Sequence, residues 1–236
     1  MPLREPAGGL RVEDRDGARH VTLARPPVNA LSLKVYDALR GAFDLDAVGA
    51  AGRPRLVVLR AEGRAWCAGQ DVRELAAVTD RAAYLERAGG GVAAVARCPV
   101  PVVAVVDGPA VGAGGLLVAC ADLVVAGPAA SVAFPELRVG APMGAALLEG
   151  FLPPPLVSHA LATGATLGAD RLREVGAVAE VVPAAALDDR AAAVVADLLA
   201  LPDDGLRYLR GSRRPAERAA AYLAEVTAAA RALREA

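Results

Sequence analysis

Two short runs rich in β-branched residues, Arg55-Leu56-Val57-Val58-Leu59 and Val102-Val103-Ala104-Val105-Val106, each lead into a glycine-rich turn. Both are short, continuous and bounded by turn residues, which predicts buried strands. Before them, Leu10–Glu13 and His20–Leu23 flank Asp16-Gly17, the pattern of a β-hairpin. Ser32 can cap a helix carrying Val35, Leu39 and Phe43 on one face. Ala82–Ala96 has helical spacing, although Gly89-Gly90-Gly91 is expected to interrupt or bend it. Pro99 and Pro101 frame the second buried strand. Short strands are expected at Leu123–Ala126 and Ser131–Phe134. Helices are expected at Pro142–Phe151, Pro154–Thr163 and Gly168–Val175, then a strand at Val178–Val182. From Ala185 onward the pattern is helical, and in the last helix Ala219, Leu223, Val226, Ala230 and Leu233 recur at helical spacing. Strands alternating with helices predict an α/β fold with largely parallel pairing. The final helices have no strand of their own to cover, so they are expected to form a small α-region or pack on a neighbour.

Two glycine-rich turns follow the two buried strands. The first is Trp66-Cys67-Ala68-Gly69-Gln70-Asp71, with Asp71 placed to cap the next segment. The second is Gly108-Pro109-Ala110-Val111-Gly112-Ala113-Gly114-Gly115, which opens a helix ending before Asp122. Helix starts collect unpaired N–H groups and favour negative charge. Either turn alone also reads as a tight strand–helix connection. Together they can direct two N–H donors at one oxygen, as an oxyanion hole requires. The second turn lacks a dinucleotide fingerprint, because Leu117 stands where glycine is needed.

Composition narrows the chemistry. The 236 residues suffice for one large domain, 55% of them are hydrophobic, only 3% are aromatic, and the net charge is −1. That balance argues against a stacking platform for nucleic acid or a general polyanion binder. Lys34 is the only lysine. Cys67, Cys98 and Cys120 show no metal-ligand spacing, and His20 and His159 lie far from them, so no metal is expected. The most apolar stretch, Ala110–Ala121, is too short to span a bilayer. A soluble, cytoplasmic protein is expected.

The motifs, in order, resemble the enoyl-CoA hydratase/isomerase (crotonase) superfamily. Arg25-Pro26-Pro27-Val28-Asn29-Ala30-Leu31 resembles its N-terminal signature, and Trp66–Asp71 its first oxyanion motif. Asp107–Gly115, continuing to Ala119-Cys120-Ala121-Asp122, is similar to the second. Phe134-Pro135-Glu136 with Gly140 is similar to the acidic motif, and Thr163-Gly164 to Val182-Pro183 to the tail. The resemblance implies a crotonase-like ββα superhelical core over 1–183 and a C-terminal helical region over 184–236. It implies that the N–H groups of Ala68 and Ala113 form the oxyanion hole and that Glu136 is the acid–base carboxylate. Arg25, Val28, Ala30, Ala65, Gly69, Gln70, Asp71 and Leu116 become candidates for substrate binding. Leu116 stands where hydratases carry a second glutamate. A leucine cannot hold or activate water, so the resemblance points to a Δ3,Δ2-enoyl-CoA isomerase using one glutamate. A hydratase with a displaced second acid (Glu62 or Glu149), a decarboxylase and a non-catalytic acyl-CoA-binding subunit are the alternatives. Arg73, Arg210 and Arg213 are further candidates for CoA phosphates. The implied partner is an acyl-CoA thioester, with coenzyme A entering as part of the substrate and no separate cofactor. The implied assembly is a homotrimer or hexamer.

Overall fold

The computed structural model describes residues 8–46 and 52–235. Strands β1 (Leu10–Arg15) and β2 (Ala18–Leu23) form the hairpin. Asp16 and Gly17 both take positive φ, as a two-residue turn matched to strand twist requires. Helix α1 (Leu33–Phe43) follows, with the Ser32 hydroxyl accepting from the Val35 N–H. Strand β3 (Leu56–Ala61) leads to α2 (Val72–Ala77) and α3 (Arg81–Ala96). Strands β4 (Val102–Val106) and β5 (Pro109–Val111) precede α4 (Ala113–Ala119). Then come β6 (Leu123–Ala126), β7 (Ser131–Ala133), a 3-10 turn at Glu136–Val139, α5 (Ala145–Leu148), α6 (Pro154–Thr163), β8 (Leu167–Gly168) and α7 (Ala169–Glu174). Helices α8 (Leu187–Leu199), α9 (Asp203–Ser212) and α10 (Pro215–Glu235) end the chain.

The main sheet has the order β1-β2-β3-β4-β6, and a small sheet has the order β5-β7-β8. Within the main sheet only the β1–β2 pair is antiparallel. The central strands are buried on both faces. Val57, Leu59, Val102 and Ala104 face the core shared with α1, α3, α4 and α10. Leu56, Val58, Val103 and Val105 face Leu187, Ala191, Val194, Leu198 and Leu206 of α8 and α9. The period-2 alternation of a strand therefore requires two helical covers, which explains why these runs read as continuously apolar.

Four sequence-based expectations change. The C-terminal helices do have strands to cover: α8 and α9 seal the back of the main sheet. The Gly89-Gly90-Gly91 triplet does not interrupt α3, which runs unbroken from Arg81 to Ala96. A Cβ at Gly89 would stand 2.8 Å from Val226, and one at Gly91 2.8 Å from Tyr36, so the glycines admit neighbouring helices. The expected helix over 142–151 shrinks to Ala145–Leu148, entered through Gly144 at φ +107°. The expected strand over 178–182 is a single bridge between Ala126 and Val181, between the Gly176 turn and Pro183.

Candidate active site

The two glycine turns meet. Cys67 and Ala110 pair as a parallel bridge, with the Cys67 N–H donating to Pro109 O and the Val111 N–H to Cys67 O. Gly69 has φ +81°, and a Cβ there would lie 2.5 Å from Val111 O and 3.4 Å from Ala113 N. Only glycine allows this approach. Gly112, at φ +54°, anchors its N–H on Ala133 O at 2.8 Å and turns the chain into α4. The N–H of Ala113, at the first position of α4, makes no hydrogen bond within the described residues, as expected of a helix start.

On the first turn, the expected donor is corrected. The Ala68 N–H donates to Val28 O at 2.9 Å, so the Arg25–Leu31 loop already satisfies it. The neighbouring bonds run from the Leu31 N–H to Gly69 O and from the Asp71 N–H to Leu31 O, and they leave the Gln70 N–H without a partner among the described residues. The free N–H pair at the junction of the turns is therefore Gln70 with Ala113.

A cavity of about 170 Å3 opens at this junction. Of the sequence-predicted residues, Ala68, Gly69, Gln70, Ala113, Leu116 and Glu136 line it. Glu136 is the only carboxylate on that wall among the described residues. It follows Pro135 at the start of the 3-10 turn and is 7% exposed. A Cβ on Gly112 would come 3.3 Å from Glu136 Oε1, so the carboxyl faces the second turn. Glu136 Oε2 is buried without a hydrogen-bond partner. Burial pushes the carboxyl up to about 7, and no neighbouring cation opposes the shift. Leu116 is 1% exposed and packs beneath Gly144, giving the wall an apolar surface beside Glu136.

The remaining candidates lie outside the cavity wall, where several hold its loops in place. Arg25 bridges Asp71 at 2.7 Å and donates to Ala30 O at 2.8 Å. Asp71 caps α2 by accepting from the Arg73 and Glu74 N–H groups. Ala65 O accepts from Asn29 Nδ2 at 2.9 Å. Glu62 pairs with Arg11, and Glu149 is exposed on another face. His159 and Arg73 are exposed. Arg213 donates to Ala121 O at 3.4 Å. Arg210 is no phosphate ligand: it is 2% exposed, pairs with the fully buried Asp122 at 3.0 Å and donates to Ala96 O and Cys98 O. The buried Cys67 thiol is pushed up to about 12 by desolvation and donates to Asn29 O, so it is a packing group.

Three contributors were not legible as site residues. Asn29, at φ +53° and 2% exposed, donates through Nδ2 to Glu62 O, Ala65 O and Trp66 O while accepting from the Arg25 N–H. It clamps the first turn against the N-terminal loop. Tyr36 and Tyr222 line the cavity from α1 and α10, but each falls on an apolar helical stripe and reads as ordinary core. No described helix is long and apolar enough to cross a membrane.

Comparison with known proteins identifies the family. The chain is 40% identical over 187 residues to the (7aS)-7a-methyl-1,5-dioxo-2,3,5,6,7,7a-hexahydro-1H-indene-carboxyl-CoA hydrolase of Mycobacterium tuberculosis, covering 76% of this chain and 73% of that one. It is 31% identical over 202 residues to the human mitochondrial enoyl-CoA hydratase domain-containing protein 3, covering 79% of this chain and 66% of that one. The crystal structure of an enoyl-CoA hydratase/isomerase from Mycobacterium paratuberculosis superposes with a TM-score of 0.82 at 28% identity, covering 96% of this chain and 95% of that one. The enoyl-CoA hydratase/isomerase family model matches residues 13–233. Two abutting strand-to-helix turns with free N–H groups, one buried glutamate facing them and this match over nearly the whole chain place the protein in the enoyl-CoA hydratase/isomerase family.

Proposed function

We propose that the protein is a double-bond isomerase acting on 3-enoyl-CoA thioesters. The observation that carries this reading is the solitary Glu136 on a cavity wall whose neighbouring position is Leu116. The thioester oxygen sits between the N–H groups of Gln70 and Ala113, which stabilise the enolate as it forms. Glu136 carboxylate removes the proton from C2. The resulting carboxylic acid returns it at C4, giving the 2-enoyl thioester. One group serves as base and then acid because both carbons pass beside it on one face. Leu116 keeps that face free of a positioned water. A homotrimer or hexamer remains the proposed assembly, to be checked by analytical ultracentrifugation.

A second reading has a specific support, since a relative at 40% identity is named as a CoA hydrolase of a bicyclic diketone. The same N–H pair would then stabilise an enolate leaving a broken C–C bond, with Glu136 activating the water that attacks the ketone. One experiment separates the two. Straight-chain 3-enoyl-CoA and a cyclic β-diketone CoA thioester are incubated in D2O and in H2 18O, with products read by NMR and mass spectrometry. Double-bond migration without a 3-hydroxy or ring-opened product supports the isomerase. Ring opening with 18O in the new carboxylate supports the hydrolase, and a 3-hydroxyacyl product overturns both. Glu136→Gln is expected to lower turnover by at least about 10²-fold, in the range of general acid–base contributions, while acyl-CoA binding persists.

A further inference from the structure

The function proposed above gives no task to the Gly89-Gly90-Gly91 notch or to Tyr36 and Tyr222 on the cavity wall. Gly91 lets Tyr36 of α1 approach α3, and Gly89 lets Val226 of α10 do the same. Tyr222 lies one helical turn before Val226. Both tyrosines thereby reach the cavity that Glu136 lines, with Tyr36 1% and Tyr222 2% exposed. Around them the wall is apolar, with Leu85, Ala88 and Val92 from α3.

Neither tyrosine hydroxyl makes a hydrogen bond among the described residues, whereas Tyr84 donates to Glu74 at 2.9 Å. Desolvation raises both phenols well above the usual tyrosine range, so each keeps its proton and remains a donor. Neither hydroxyl is among the fully buried polar atoms without a partner, so both are open to the cavity, where an acceptor on a ligand can reach them. Two unpaired donors bordering one small cavity are poorly matched to a plain hydrocarbon chain, which would desolvate them without replacing the lost bonds. The thioester oxygen is held by backbone N–H groups, so the missing acceptor belongs elsewhere on the ligand.

We propose that Tyr36 and Tyr222 recognise an oxygen on the acyl group, so that the site selects compact oxo- or hydroxy-substituted acyl-CoA thioesters over unsubstituted ones. This rests on the acyl-CoA reading above and adds the substrate class. A site built to hydrogen-bond an oxygen discriminates against an analogue lacking it, because its own donors are then left unpaired.

The test is isothermal titration calorimetry of the full chain with hexanoyl-CoA and with 4-oxohexanoyl-CoA and 5-oxohexanoyl-CoA, none of which needs turnover. The parent protein is expected to bind at least one oxo ligand about tenfold more tightly than hexanoyl-CoA, the scale of one well-placed hydrogen bond. Tyr36→Phe and Tyr222→Phe keep the rings that fill the wall, and each should narrow that ratio. The double variant should erase it. Equal binding of all three ligands by the parent overturns the proposal without any variant. A preference that survives in the double variant also overturns it, and points instead to Gln70 Nε2, a buried donor without a partner on this wall. If hexanoyl-CoA and both oxo ligands fail to bind, the acyl-CoA reading itself falls, an outcome distinct from binding without discrimination.

Discussion

In the proposed mechanism Glu136 trades stability for chemistry. Its carboxyl sits about 7 because burial penalises the charged form. As a base it must be ionised, so kcat/KM should rise with pH through about 7 and level off above it. A pH–rate profile from 5.5 to 9 checks this, and a flat profile would remove Glu136 as the base. The stability consequence has the opposite slope. The folded protein holds this proton more tightly than the unfolded chain, so the stabilising contribution is complete below about 4.5 and is lost as pH rises through about 7. At pH 8 the strain from this group is on the order of 3 kcal/mol. Glu136→Gln should therefore raise the melting temperature at pH 8 and have little effect on it at pH 4.5, even as it lowers turnover. The N–H of Ala113 can be removed with less collateral change than most, because proline is tolerated at the first position of a helix. Ala113→Pro should lower kcat by about 10²–10³-fold, as loss of one oxyanion donor does. Retention of parental kcat would place the oxyanion elsewhere.

At the scale of elements, the α3 glycines invert the usual propensity argument. Glycine in a helix interior costs about 1 kcal/mol relative to alanine. At Gly91 that cost is outweighed, because a Cβ would stand 2.8 Å from Tyr36 side-chain atoms and 2.9 Å from Tyr36 O. Overpacking of this kind costs about 1–3 kcal/mol. Gly41 on α1 is the control, since a Cβ there meets nothing within 4 Å. Gly41→Ala is expected to stabilise by up to about 1 kcal/mol and Gly91→Ala to destabilise, with urea unfolding as the measurement. If both substitutions stabilise, the notch does not govern helix approach. The same element-scale logic applies to α5. This four-residue helix has no side-chain cap of its own, and Glu225 of α10 accepts from the N–H groups of Gly144 and Ala146 instead.

Across the whole molecule, the C-terminal helices clasp the sheet from both sides. Helices α8 and α9 close its back, and α10 closes the front over the cavity. Arg210 of α9 ties this arrangement together. Its guanidinium meets Asp122, the carbonyl of Ala96 that ends α3 and that of Cys98 just beyond it. Carbonyls at a helix end accept readily from a cation, and the paired carboxylate balances the charge. Arg210→Ala would leave the buried Asp122 carboxylate without its cation, held among the described residues only by the Val102 N–H at 2.7 Å, and should destabilise the fold by about 3–5 kcal/mol. Thermal melting checks this, and a change under 1 kcal/mol would show that the clasp does not depend on the pair.

The fold was largely legible because its signals are local. The β1–β2 hairpin, the Ser32 and Asp71 caps and the buried β3 and β4 runs each follow from spacing within a few residues. The order of the motifs, with Glu136 after the two glycine turns, also identified the family and singled out Glu136 as the candidate carboxylate. Tertiary structure alone decided which donors stay free. Ala68 and Gln70 stand two residues apart on one turn, and only the return of the Arg25–Leu31 loop satisfies the first and leaves the second open. It also decided that Gly89–Gly91 joins three helices and that Tyr36 and Tyr222 share a cavity. These are contacts between segments as much as 186 positions apart along the chain. A hydrogen bond or a Cβ clash depends on where two backbones meet in space, and neither strand nor helix periodicity carries that information.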